Sequence, residues 1–228
     1  MADVVQDVMI TGISKGLGKF LFQGIIPLQQ VHCIGIGRNF SKENNGRHTT
    51  LIPCDLSKPE TLPCIEHIVS KGRGLIFINN AGTVEPIGSI GALPEQALQR
   101  AVQVNFLSPM LLCNQLVQFC HKNRQRLKII NISTGAANYP IVGWGAYCST
   151  KAAFKMFLDV LAQQEKDGGL VEVIHIDPGV MDTGMQEKIR VANADDFPRV
   201  AEFQAFKAQG KLRKPEEVAE SIIREHIL

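Results

Sequence analysis

Long apolar runs are missing from this sequence: no stretch approaches the roughly 20 residues that a membrane-spanning helix needs, so no membrane partner is expected. An excess of one charge is missing too. The 24 Lys and Arg face 22 Asp and Glu, a formal charge of +2, which gives no bulk attraction for a nucleic acid. The nearest thing to a basic stripe is His121-Lys122-Asn123-Arg124-Gln125-Arg126, which at a helix-to-strand turn reads as a solvated face. The six cysteines, Cys33, Cys54, Cys64, Cys113, Cys120 and Cys148, form no CxxC pair. Several lie inside apolar runs, where a thiol behaves as a small hydrophobe; a disulfide framework and a zinc site are both excluded, and no metal is expected. Residues Met1 to Ile10 carry Asp3 and Asp7 and lead straight into a strand, unlike a signal peptide, so the expected location is the cytoplasm. Aromatic residues are few, with one Trp and two Tyr, which gives weight to any tyrosine standing in a chemically meaningful position.

Apolar content is not scarce. At 45% of 228 residues it suffices for a full core, and residues 1–228 are expected to form a single domain. Short apolar runs alternate with longer periodic ones. Val8-Met9-Ile10 ends at a Gly-rich turn and is followed by a helix-like stretch to about Leu28. Cys33 to Ile36 and Leu51 to Cys54 read as the next strands, with an abbreviated polar connection from Ser41 to His48 between them. Glu60 to Lys71 is a helix candidate, and Leu75 to Ile78 a buried strand. Pro94 starts a helix that continues through Val102, and Pro109 marks an early turn of a long helix toward His121. Leu127 to Ile132 is a strand, Ala146 to Glu165 a helix, Val171 to Ile176 a strand, and Glu216 to His226 a last helix. Strands rich in β-branched residues alternating with helices imply right-handed crossovers: an α/β fold, its parallel sheet covered on both faces.

The first strand runs into Thr11-Gly12-Ile13-Ser14-Lys15-Gly16-Leu17-Gly18. Glycines let a backbone turn tightly and approach a pyrophosphate, and the following helix N-terminus offers N–H donors and the positive end of its dipole. The spacing is Gly-x-x-x-Gly-x-Gly rather than G-x-G-x-x-G. An NAD-selective site places an acid at the end of the second strand, on the ribose 2′-OH. Here Ile36-Gly37-Arg38-Asn39 stands instead. Arg38 suits a 2′-phosphate and Lys15 adds a second cation, so the expected cofactor is NADP(H); otherwise Arg38 simply tops an exposed strand end.

Tyr147 and Lys151 are four residues apart on one helical face. A neighbouring cation favours phenolate, so a tyrosine could then donate and recover a proton near neutrality. Ser133, ending a strand, could hydrogen-bond a substrate carbonyl, and the Asn105 amide could hold a water in a relay to Lys151.

As a set, these residues resemble the short-chain dehydrogenase/reductase family. The matches are Gly12/Gly16/Gly18, Asp55, Asn79-Asn80-Ala81-Gly82, Asn105, Ser133, Tyr147/Lys151, and Pro178-Gly179 followed by Thr183, in the family's order. The resemblance implies a Rossmann-type doubly wound sheet, with Tyr147 as general acid/base. It implies that Lys151 lowers the tyrosine pKa and binds the nicotinamide ribose, that Ser133 orients the carbonyl, and that Asn105 supports a proton relay. Asp55 and Leu56 would meet adenine, Asn80, Ala81 and Gly82 the adenosine side, and Val180 and Thr183 the carboxamide. Gly143 to Cys148, Asp177 to Gln186 and Phe206 to Leu212 look like the sepiapterin and benzil reductase branch. Trp144 is then a substrate wall or a hydrophobic staple. Met181 and Met185 are either the lining of an adaptable apolar pocket or ordinary packing. In sepiapterin reductases an acidic residue beyond the last helix anchors the pterin; this sequence ends at Leu228, so an α-diketone is the expected substrate and a six-stranded sheet the expected core. The alternatives are a 3-oxoacyl thioester reductase and a non-enzymatic NADP sensor. The family's habit implies a homodimer or homotetramer built on the helices around Leu107–Phe119 and Phe154–Leu161.

Overall fold

The computed structural model describes residues 4–41 and 46–228; Asp3 and part of the polar connection after the second strand lie outside the described residues. Six strands form one parallel sheet: β1 (Gln6–Thr11), β2 (Val31–Gly37), β3 (Thr49–Pro53), β4 (Gly74–Asn79), β5 (Leu127–Ile132) and β6 (Val171–Ile176). Their order is β3-β2-β1-β4-β5-β6, a Rossmann-like arrangement. The order reverses between β1 and β4, which opens a crevice beyond the carboxyl ends of the central strands, where a ligand fits.

Alternation along the strands sorts the core into two layers. Val8 and Ile10 of β1 pack with Leu21, Phe22 and Ile25 of helix α1 (Gly16–Ile25) and with Val218 and Ile222 of helix α7 (Pro215–His226). Met9 points the other way. It joins Phe77 and Ile129 against Leu112, Leu116 and Phe119 of helix α3 (Ser108–Asn123) and Phe154 and Leu158 of helix α4 (Gly145–Gln164). Helices α2 (Glu95–Val102), α5 (Gly184–Arg190) and α6 (Val200–Ala208) complete the set.

The helix expected over Glu60 to Lys71 is replaced by two short 3-10 turns, Pro59–Thr61 and Ile65–His67. Pro63 is the cause. It disfavours the helical conformation at the preceding residue, and Leu62 sits at φ −62°, ψ 137°. Between α2 and α3 the backbone widens into a π-turn over Gln103–Leu107, with the Ser108 N–H reaching back to the Gln103 carbonyl. Pro109 has no N–H to offer the carbonyl of Asn105, so the regular pattern cannot continue there.

The basic cluster at the end of α3 is engaged at two positions: His121 lies 2.9 Å from Glu165 and Lys122 2.7 Å from Glu66. All six cysteines are free thiols. Among the described residues no helix is long and apolar enough to cross a membrane, and no cluster of candidate metal ligands occurs.

Candidate active site

The crevice is a cleft of about 540 Å³ at the carboxyl ends of the strands. Its floor is the turn from β1 into α1. Gly12 has φ +77°, and a Cβ there would stand 2.9 Å from the Ala81 backbone, so the β1 and β4 turns approach as closely as a glycine allows. At Gly18 a Cβ would fall 2.4 Å from the Gly12 carbonyl oxygen; this glycine serves packing behind the turn and does not line the cleft. No side chain caps the N-terminus of α1 and no acid occupies its first turn, so the helix end presents N–H donors and a positive dipole toward Ser14, Lys15, Gly16 and Leu17.

Thr11, fully buried, ties the second wall to this floor. Its hydroxyl oxygen accepts from the Asn80 and Ala81 N–H groups, both at 3.1 Å. The Asn80 amide donates to the Thr11 and Gly12 carbonyls at 3.0 and 3.2 Å. Asn80 therefore contributes by cross-linking the two turns, while Ala81 and Gly82 line the cleft beside it.

At one end of the cleft Lys15 and Arg38 are exposed cations along the rim. Asn39 is exposed and does not line the cleft. Asp55 and Leu56 do. Burial would raise the Asp55 pKa, but two hydrogen bonds from Ser57 and the charges of Arg38 and Arg100 outweigh it and hold the carboxyl below the usual range. Arg100, on α2, also lines this end. It matches no phosphate-turn or catalytic motif, and only the tertiary fold brings it to the cleft.

In the middle stand Tyr147 and Lys151, 7% exposed each, one turn of α4 apart. The Lys151 ammonium donates to the Ile132 carbonyl at 2.8 Å, and burial pulls its pKa down to about 8. Burial pushes Tyr147 up to about 12, against a hydrogen bond with the Thr134 hydroxyl. The expected lowering of the phenol by its neighbour is thus absent: the lysine is turned to a carbonyl and desolvation dominates. Ser133 lines the cleft at the end of β5, with Thr134 next to it. No sequence motif singled out Thr134. Asn105 is buried in the π-turn; it bonds both backbone groups of Thr83 at 2.8 Å and donates to Thr150 at 3.1 Å.

Pro178, Gly179, Val180, Met181 and Thr183 form the far wall, with Thr183 Cγ2 3.4 Å from where a Gly16 Cβ would be. Arg213 braces this wall, donating to the Pro178 carbonyl at 3.0 Å. Trp144 is 5% exposed and stacks on Phe197 at 4.9 Å, with Tyr147 edge-on at 5.5 Å. It supports the phenol more than it offers a wall. Met185, Phe203, Phe206 and Tyr139 line the same apolar end.

The phosphate-ready helix end and glycine cradle fit a nicotinamide dinucleotide, and three comparisons agree with that fit. Residues 6–194 match the model of the short chain dehydrogenase family. The benzil reductase ((S)-benzoin forming) of Bacillus cereus is 34% identical, covering 94% of this chain and 91% of its own. The sepiapterin reductase of Bos taurus is 27% identical over 90% of this chain and 83% of its own. The crystal structure of the KRED1-Pglu enzyme superposes with a TM-score of 0.80 at 27% identity, covering 94% of this chain and 91% of that one. The chain thus belongs to the short-chain dehydrogenase family of nicotinamide-dependent oxidoreductases, in its benzil and sepiapterin reductase-like branch.

Proposed function

We propose that this protein reduces a small or aromatic α-diketone to the hydroxyketone with NADPH, and that Tyr147 is the proton donor. The observation that carries the reading is a buried, neutral phenol standing between a phosphate-ready helix end and an aromatic-lined apolar pocket. When bound, the reduced nicotinamide supplies the two electrons that a carbonyl carbon takes up as hydride. Gly12, Ser14, Gly16 and Leu17 would hold its pyrophosphate, Asp55 and Leu56 its adenine, Val180 and Thr183 its carboxamide, and Lys151 its ribose. Tyr147 gives its proton to the carbonyl oxygen as that oxygen gains charge, and Ser133 donates a hydrogen bond that strengthens at the same moment. Asn105, tied to the Thr83 backbone and Thr150, holds the relay region rigid. Met181, Met185, Phe203 and Phe206 give a planar diketone apolar contact. The benzil reductase relative supports that substrate class. Turnover of a panel of dicarbonyls with NADPH, set against an acetoacetyl thioester, tests it; preference for the thioester would replace the diketone reading.

Cofactor preference follows from Arg38 and Lys15. NADPH is expected to exceed NADH in kcat/KM, and Arg38→Ala to remove most of that preference through KM for NADPH. A lost charge-assisted pair costs about 1.5–3 kcal/mol, or about ten- to hundredfold. Equal kcat/KM for the two cofactors in the parent refutes the assignment.

We further propose that residues 1–228 act as one cytoplasmic domain and assemble at least as a two-fold dimer through α3 and α4. Leu111, Met156 and Val160 remain exposed there, at 36%, 62% and 52%. Light scattering at micromolar concentration should give twice the chain mass or a multiple of it; a monomer mass overturns the assembly.

A further inference from the structure

A file of polar side chains crosses the sheet from the cleft to the far edge. Asn79 on β4 and Asn131 on β5 are register partners, as are Asn131 and His175 on β6. The Thr11 hydroxyl lies 3.5 Å from Asn79 Oδ1, the loosest link. Asn79 Nδ2 donates to Asn131 Oδ1 at 3.2 Å, and Asn131 Nδ2 meets His175 Nδ1 at 3.1 Å. His175 Nε2 then meets Asp159 Oδ1 on α4 at 3.0 Å, and Asp159 Oδ2 accepts from Lys155 at 2.8 Å. Thr11, Asn79 and Asn131 are at most 2% exposed, while the His175 and Asp159 side chains are 21% and 40% exposed. The file therefore runs from the buried floor of the cleft to water.

Its polarity is fixed twice over. A carboxylate only accepts, so His175 must carry its proton on Nε2. Nδ1 of the neutral ring is then an acceptor, so Asn131 must turn its amide nitrogen to it and its oxygen to Asn79. From the other end, the Asn80 and Ala81 N–H groups only donate, so the Thr11 hydroxyl sends its own proton on to Asn79. Both ends demand the same orientation of every amide between them. A second proton on His175 would set Nδ1–H against the Asn131 amide hydrogens. Asn131 would have to flip, then Asn79, setting the Asn79 amide nitrogen as a third donor against a Thr11 oxygen that already accepts from Asn80 and Ala81. No group inside the sheet can absorb that reversal except the Asn80–Ala81 turn.

We propose that His175 is a positioning residue for the Asn79–Gly82 turn, and that its single protonation at Nε2 sets the affinity of the cleft for its dinucleotide. This rests on the reading that the turn flanks the bound cofactor. The groups facing His175 are Asn131 on β5 and Asp159, with its partner Lys155, on α4. Neither lines the cleft, nor does His175 itself, so the effect is transmitted and not a direct contact.

Three proteins test it by NADPH binding, followed by fluorescence: the parent, His175→Leu and His175→Asn. Asn can place an oxygen where Nδ1 stands and cannot gain a proton; Leu offers nothing to Asn131. Near neutrality His175→Leu should bind NADPH about tenfold more weakly than the parent, and His175→Asn should bind nearly as well. In the ligand-free parent, imidazole ¹⁵N shifts should report the Nε2–H tautomer. Parent binding with equal affinities in all three proteins overturns the inference alone, as does an Asn variant as weak as Leu. A folded parent that binds no NADPH overturns the cofactor reading and takes the inference with it.

Discussion

Replacing Tyr147 with Phe should leave a folded protein that binds NADPH and reduces diketone about 10²–10⁴-fold more slowly. The ring is 7% exposed, with Trp144 edge-on at 5.5 Å, and Phe preserves that packing. What it removes is the proton. Burial pushes the phenol up to about 12, so across the neutral range Tyr147 is the neutral acid that a reduction consumes. Its fall in rate should therefore appear in kcat, with KM for NADPH little changed. Single-turnover reduction, with melting and cofactor titration as controls, gives the answer. A near-parental rate would remove Tyr147 from the chemistry and with it the mechanism proposed above.

The features that were legible in the sequence are those that local physics dictates. Alternating runs such as Val8-Met9-Ile10 and Leu127 to Ile132 announced a covered parallel sheet, and the six-stranded order agrees. The glycine turn and the Tyr147–Lys151 spacing were legible because each requires particular residues at fixed offsets. Glu60 to Lys71 misled because its apolar spacing looks helical while Pro63 alone breaks it. Arg100, Phe203 and Arg213 could not be found in advance. Each reaches the cleft or its wall from an element far away in sequence, and no local pattern reports such a meeting. Protonation was the least legible property. Proximity in a helix suggested that the lysine would lower the phenol, whereas the burial of both groups and the Ile132 carbonyl decide otherwise.

That burial makes Lys151→Met the second large effect, with opposite signs for stability and activity. The ammonium is pulled from 10.5 to about 8 by desolvation, which corresponds to about 3 kcal/mol held against the ligand-free fold at neutral pH. Below about pH 8 both folded and unfolded chains carry the proton and the whole cost is present. Between about 8 and 10.5 the unfolded chain binds more protons than the folded one, so stability rises with pH, and above 10.5 the cost is gone. Methionine fills the same buried position without a charge. It leaves the Ile132 carbonyl without its 2.8 Å donor, which takes back about 1 kcal/mol or somewhat more. At pH 7 the ligand-free variant should gain roughly 1–2 kcal/mol, a rise of several degrees in Tm, and that gain should shrink as pH approaches 10.5. Activity should fall as far as in Tyr147→Phe, because the ribose loses its proposed anchor. Combining the two substitutions should cost scarcely more than the worse one, as expected for groups that act as a unit. Thermal melts of the ligand-free proteins across pH, beside kcat/KM, separate the two signs. A Lys151→Met protein less stable than the parent at pH 7 would show that the carbonyl hydrogen bond outweighs desolvation. In the predicted case a site kept for function is held at a cost to the fold.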